Sequence, residues 1–118
     1  VYDMMRYIKE KVEIKTFGMG KVMSGGTLLL AAGTKGHRRI GKYCRVMIHG
    51  VVAGQSGNLL DLENEFEESK MTQNLYIEAL ANETDMTRKY IKNLIKKKTN
   101  VYISAQEAVD LGIADILI

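Results

Sequence analysis

The sequence predicts an α/β domain with helices packed on sheet. Three observations carry this: short β-branched or alternating segments fall between helix-length patterns all along the chain, the punctuation is glycine with no proline at all, and one long helical pattern occupies the middle. With 118 residues, 46% of them apolar and 26% charged, the chain fits a single domain, 1–118, with one core, and its composition is neither disordered nor membrane-like. The longest apolar run, 28–32, is far shorter than the about 20 residues a membrane helix needs.

Taken in order, 1–8 reads as an amphipathic helix and not as a targeting segment. Residues 12–17 alternate Val12, Ile14 and Thr16 with Glu13, Lys15 and Phe17, which predicts a short strand ended by Gly18 and Gly20. After Ser24, the stretch 25–33 is small and apolar on all sides and predicts a helix buried within the domain, beginning at the serine. Residues 35–42 read as a polar, basic connection, 45–49 as an apolar strand ending on His49, and 50–57 as a glycine-rich loop.

The pattern 58–82, with Leu59, Leu62, Phe66, Tyr76 and Leu80 on one face, predicts a helix long enough to project from so small a domain. Thr84 or Asp85 is then expected to cap a second helix reaching Lys98, whose basic end complements the helix dipole. Residues 101–103 predict a strand. Ser104-Ala105-Gln106-Glu107 predicts a capping box opening a short helix to Leu111, with Gly112 as its stop and 113–118 as a last strand.

The net charge of +3 is modest and the signs are segregated, acidic at 61–68 and basic at 88–98. Two oppositely charged helices explain that pattern, and the basic run lacks the interleaved aromatic residues of a nucleic-acid site, so neither nucleic acid nor membrane is expected as a partner. The lone Cys44, beside an apolar strand, reads as a small buried thiol in a reducing, cytoplasmic setting. Two histidines and one cysteine form no zinc-ligand spacing, so no metal and no cofactor is expected.

A hydroxyl nucleophile needs a base in reach, a group that orients the base, and donors for the oxyanion. Ser24 stands in a glycine-bordered turn where strand gives way to helix, a position suited equally to an exposed nucleophile and to a plain N-cap. His49 suits a general base or a satisfied strand-end histidine, and His37, within Lys35-Gly36-His37-Arg38-Arg39, reads as a solvated loop residue.

The motifs decide between these readings. Gly18-Met19-Gly20-Lys21-Val22-Met23-Ser24-Gly25-Gly26 is similar to the nucleophile segment of the ClpP family of serine peptidases, and Arg45-Val46-Met47-Ile48-His49 to its histidine motif. Ala32-Gly33-Thr34-Lys35-Gly36-His37-Arg38, Gly54-Gln55-Ser56-Gly57 with Asp61-Leu62-Glu63, Ser104-Ala105-Gln106-Glu107-Ala108-Val109 and Gly112-Ile113-Ala114-Asp115 resemble its other segments in the same order, over essentially the whole chain.

The resemblance implies a ClpP/crotonase-like fold of βαβ-type units with a projecting handle helix. It implies a serine endopeptidase that cleaves unfolded polypeptides inside a chamber of stacked seven-membered rings fed by an AAA+ unfoldase, with 58–82 at the equatorial contact. Ser24 becomes the nucleophile, His49 its base and Gly25 N–H an oxyanion donor.

Two departures stand out. Counted back from Ser104, across about two extra residues near the basic run, the family's third triad position, an aspartate, falls on Asn100 to within a residue or two; an asparagine can accept from His49 but brings no negative charge, and the Asp-to-Asn change in trypsin costs about 10⁴-fold. The chain also starts after the family's N-terminal strands and the Gly-Gly segment that supplies a second oxyanion donor, so the domain is expected to be N-terminally incomplete. The implied alternatives are a weak or inactive structural subunit of a mixed ring and a related viral head-maturation protease.

Overall fold

A computed structural model of the protein describes residues 1–97 and 100–118. Among these the order is α1 (Tyr2–Lys9), β1 (Thr16–Gly18), β2 (Lys21–Met23), α2 (Gly25–Ala31), β3 (Arg38–Ile40), β4 (Arg45–Ile48), α3 (Leu59–Glu83), α4 (Arg88–Lys96), β5 (Val101–Ser104), α5 (Ala105–Asp110) and β6 (Ile116–Leu117). The strands form two sheets, ordered β1-β3-β6 and β2-β4-β5.

The chain threads both sheets twice in the same manner. It lays β1 in one sheet, turns at Met19 and Gly20, and lays β2 in the other; α2 carries it back, and β3 and β4 repeat the move beside their predecessors, parallel, with Thr16 opposite Arg38 and Lys21 opposite Arg45. Parallel neighbours demand such a crossover, and the helix supplies it. Gly20, at φ +69, takes the left-handed conformation that the change of sheet requires. The third pass runs in reverse: β5 joins β4 antiparallel, α5 follows, and β6 joins β3 parallel. The α/β architecture of βαβ-type units is therefore the one the sequence predicts.

Leu30 of α2, Ile40, Val46 and Ile48 of the strands, Leu80 of α3, and Ile91, Ile103 and Ile113 from the C-terminal third form one buried core. Three of the four β4 residues are buried, the unbroken run of a strand covered on both faces. Cys44 joins this core as a free thiol, as its setting suggests, and burial pushes its pKa up. Gly112, at φ +75, lets the chain end α5 against Asp85, where a Cβ would stand 2.6 Å from a carboxylate oxygen.

A buried guanidinium ties the layers together. Arg38 donates from Nε and Nη2 to the two Asp115 carboxylate oxygens at 2.8 and 2.7 Å, and from Nη1 to the carbonyls of Ala31 and Glu83 at 3.0 and 2.7 Å, the C-terminal ends of α2 and α3. Glu83 in turn receives Tyr2 Oη at 2.9 Å and Lys9 Nζ at 2.6 Å, which fastens α1 to the same corner.

Helix α3 has two unlike halves. Its side chains are buried only from Ile77 onward, whereas Leu59, Leu60, Phe66, Met71 and Leu75 are each more than half exposed. The helix does project, and the acidic set at 61–68 lies on a segment exposed all round.

Several elements differ from expectation. The strand read at 12–17 begins only at Thr16, and the last strand holds only Ile116 and Leu117. β2 and β3, three residues each, lie in stretches read as turn and connection. Helix α4 is capped by Thr87, whose side chain accepts from Tyr90 N, and not by Thr84 or Asp85; Thr84 instead closes α3, its hydroxyl donating to Leu80 O at 2.6 Å. The expected end of α4 at Lys98 lies outside the described residues. The capping box at Ser104 and Glu107 forms in full, and its hydrogen bonds from Ser104 hold the Glu107 carboxyl below the usual range. His37, half-buried, has Nε2 2.9 Å from a Glu13 carboxylate oxygen.

Candidate active site

Ser24 stands where β2 ends and α2 begins, at φ 56 and ψ −116, the only non-glycine among the described residues with positive φ. Such a conformation costs on the order of 1–3 kcal/mol and persists only when its surroundings impose it. Here they do. Ser24 N donates to Met47 O of β4 at 2.9 Å, so the backbone of the turn is stitched to the neighbouring strand. Its carbonyl accepts from Thr27 N at 3.1 Å and from Tyr76 Oη at 2.8 Å. The buried Thr27 hydroxyl sits within hydrogen-bonding distance of Met47 O (3.0 Å) and Val22 O (3.3 Å), joining helix to both strands. The Ser24 side chain makes no cap hydrogen bond, which leaves the hydroxyl unused by its own helix. Gly25, exposed, opens α2 with an N–H that has no intrahelical acceptor.

His49 follows directly on β4. Because Met23 is paired with Met47, Ser24 and His49 leave the ends of adjacent parallel strands one residue out of register. Both side chains are half-buried. Among the described residues no hydrogen bond joins the two. The His49 Nδ1 faces the carbonyl of Gly50, and the Nδ1–H tautomer donates to it, leaving Nε2 as the acceptor.

Asn100 is placed by the other neighbour of β4. The antiparallel pairing of Ile48 with Val101 brings the next residues along each strand, His49 and Asn100, opposite one another. Both line a cleft of about 440 Å³, together with Val51, Gln73, Ile95 and Lys96. Asn100 is exposed, and its amide is not hydrogen-bonded to His49. On the other flank of the turn, Met23 and Gly26 line an open apolar groove with Met5, Phe17 and Leu29.

Three residues of this site escape a reading of the sequence: Thr27, Tyr76 and Gln73, whose Oε1 accepts from Val51 N at 3.1 Å in the segment after His49. Each bonds to backbone from 20 or more positions away, so no local motif announces it. Gln73 and Tyr76 lie three apart on one face of α3, near the point where that helix enters the core. Burial pushes the Tyr76 phenol well above its ordinary pKa, which keeps it a neutral donor. Among the described residues no cluster of histidine, cysteine, aspartate or glutamate has the geometry to hold a metal ion, and no helix is long and apolar enough to cross a membrane.

Comparison with known proteins bears on all of this. The family model for Clp protease matches residues 1–118. The chain is 36% identical over 118 residues to the ATP-dependent Clp protease proteolytic subunit of Deinococcus radiodurans, and 33% identical over the same length to the ATP-dependent Clp protease proteolytic subunit 2 of Corynebacterium glutamicum. All of this chain is covered in both cases, but it spans only 56% and 57% of those relatives' lengths. A match along every residue, in a fold whose adjacent parallel strands end at Ser24 and His49, assigns the chain to the Clp protease family.

Proposed function

We propose that this chain is the catalytic portion of a serine endopeptidase subunit that hydrolyses peptide bonds of unfolded polypeptides. Residues 1–118 form one peptidase domain in this reading. The observation that carries this reading is the pairing of Ser24, in its imposed strained turn, with His49 at the end of the adjacent parallel strand.

The chemistry follows from that pairing. Ser24 Oγ attacks the scissile carbonyl while His49 Nε2 takes its proton; the C–N bond breaks as His49 returns the proton to the leaving amine, and water then releases the acyl group by the same route in reverse. Gly25 N–H donates to the oxyanion, which is where charge develops. Asn100 orients His49 once substrate closes the site, through its amide oxygen and in exchange for the Gly50 carbonyl; hydrogen bonds in an empty site are commonly loose. No metal or cofactor takes part.

The assembly proposed is the family's: seven-membered rings stacked around a chamber, with an AAA+ unfoldase feeding substrate and a cytoplasmic setting. The exposed apolar residues along the outer half of α3, from Leu59 to Leu75, support a contact between copies at that helix.

A second reading is a structural subunit of a mixed ring with little or no activity. It is favoured by Asn100 at the triad's carboxylate position and by His49 turned to its own neighbour's carbonyl. Labelling the full-length, assembled protein with a fluorophosphonate separates the two. The hydrolase reading expects one adduct, on Ser24, lost in His49→Ala; absence of any adduct selects the structural role.

A further inference from the structure

Tyr76 takes no part in the proton transfers just described, yet its hydroxyl is bonded to the nucleophile's own carbonyl at 2.8 Å. That carbonyl belongs to the peptide group whose N–H is that of Gly25. A trans peptide is planar, with C=O and N–H pointing in opposite directions, so a bond that fixes one fixes the other.

We propose that Tyr76 is a positioning residue for oxyanion stabilisation, holding the Ser24–Gly25 peptide so that the Gly25 N–H faces the developing charge; this rests on the hydrolase reading above.

The need for such a hold is visible in the turn itself. Ser24 is strained at φ 56, and the next residue is a glycine, which populates both signs of φ with ease. A Cβ placed on Gly25 would have nothing within 4 Å, so the space beside the turn is open and Gly25 has no side chain packed there to hold it. Relaxation of Ser24 coupled to rotation at Gly25 would swing the N–H away from the site. Thr27 N also bonds the Ser24 carbonyl, at 3.1 Å, but it belongs to the same short helix and moves with it. Tyr76 comes from α3, which is anchored independently by the buried Ile77 and Leu80.

One turn earlier on the same face, Gln73 Oε1 holds Val51 N beyond His49. The two side chains thus brace the backbone on both sides of the reacting groups from one rigid element, the arrangement a preorganised site needs. Burial also raises the Tyr76 pKa, so the donor stays protonated wherever the peptidase is active.

The test is Tyr76→Phe in the full-length, assembled protein, a change that keeps the ring and deletes only the hydroxyl. Complete loss of an oxyanion donor costs about 10²–10³-fold, so a donor left in place but no longer aimed should cost on the order of 10-fold in kcat. KM for a model peptide should stay within about twofold, and affinity for a peptide boronate, which forms a tetrahedral adduct on the serine, should fall by the same factor as kcat. The acid limb of the pH profile of kcat/KM should not move. A kcat within about twofold of wild type, with Ser24 still labelled by fluorophosphonate, overturns the role of Tyr76 and leaves the hydrolase reading standing. A rise in KM with boronate affinity unchanged, a shifted acid limb, or failure of the variant to fold and assemble overturns it equally, since the hydroxyl is then structural. A wild-type protein without an adduct on Ser24 overturns the hydrolase reading and this one with it.

Discussion

The two sides of the candidate active site are built to different standards. On the nucleophile side, Ser24 N, Ser24 O and the Thr27 hydroxyl are all tied to backbone or to α3, and a strained conformation is maintained. On the other side, His49 bonds to the carbonyl of its own neighbour, every residue from 51 to 57 is exposed, and Asn100 is exposed as well. The strained half is fixed by the fold, while the half to which the proposed mechanism gives the proton acceptor is held by few contacts among the described residues. A site divided in this way should respond unequally to damage. Ser24→Ala tests the fixed half at its centre: hydrolysis by the assembled protein should fall on the order of 10⁶-fold in kcat, the loss typical of removing a triad nucleophile, with melting temperature unchanged. Residual turnover above a few per cent would mean that another group is the nucleophile.

Asn100→Asp acts on the loosely held half and should have the opposite sign. A carboxylate opposite His49 outcompetes the Gly50 carbonyl for Nδ1–H and stabilises the imidazolium. A gain on the order of 10³-fold in kcat is expected, within the ceiling of about 10⁴ set by the reverse change in trypsin. Steady-state kinetics of the two proteins side by side decides it. No gain would show that Asn100 does not face His49 during turnover, and the division of the site would then need another explanation.

How much of this is legible in the sequence depends on whether a feature is local. The capping box at Ser104, the glycine stop at 112 and the helix after Ser24 depend on residues a few positions apart, and all three form, although that helix is buried on one face only, with Gly25 and Leu29 exposed instead of enclosed on all sides. Strands β2 and β3 are three residues long, Lys21-Val22-Met23 and Arg38-Arg39-Ile40, too short to establish a period of two, and they exist because their partners are already in place. Thr84 has the side chain of an N-cap yet closes the preceding helix, a choice made by the approach of Leu111 O to Asp85 N at 3.0 Å, across 26 residues. At the site, Ser24 and His49 are recognisable from their motifs. Tyr76 and Thr27 are not, because a side chain that braces a distant backbone carries no local signature.

The frame behind the fixed half supplies the next test. Arg38 binds the carbonyl ends of α2 and α3, the helices that carry Thr27 and Tyr76, and its guanidinium is almost wholly buried against Asp115. Arg38→Met should destabilise the protein by about 3 kcal/mol, as expected when one partner of a buried ion pair is removed. Chemical denaturation should register the loss, and peptide hydrolysis should fall more steeply with denaturant than in Asn100→Asp, since only the fixed half has been loosened.

The smallest effect comes from protonating the same pair without mutation. The Arg38 hydrogen bonds, opposed by burial and assisted by the N–H groups of Gly36 and Arg38, lower the Asp115 pKa from 3.8 to about 2. In the unfolded chain the carboxyl binds a proton at higher pH than in the folded one. The stabilisation is therefore complete well above pH 3.8 and is lost as pH falls through about 2. Asp115 is about one-fifth exposed, and the contribution is about 2 kcal/mol. Asp115→Asn should abolish that part of the acid dependence, so stability curves of wild type and variant should converge between pH 4 and 2 (roughly the window set by the two pKa values). Parallel curves over that window would mean that Asp115 does not carry the acid sensitivity of the frame, and that the rigidity of the nucleophile turn depends on apolar packing around Leu30 and Leu80 instead.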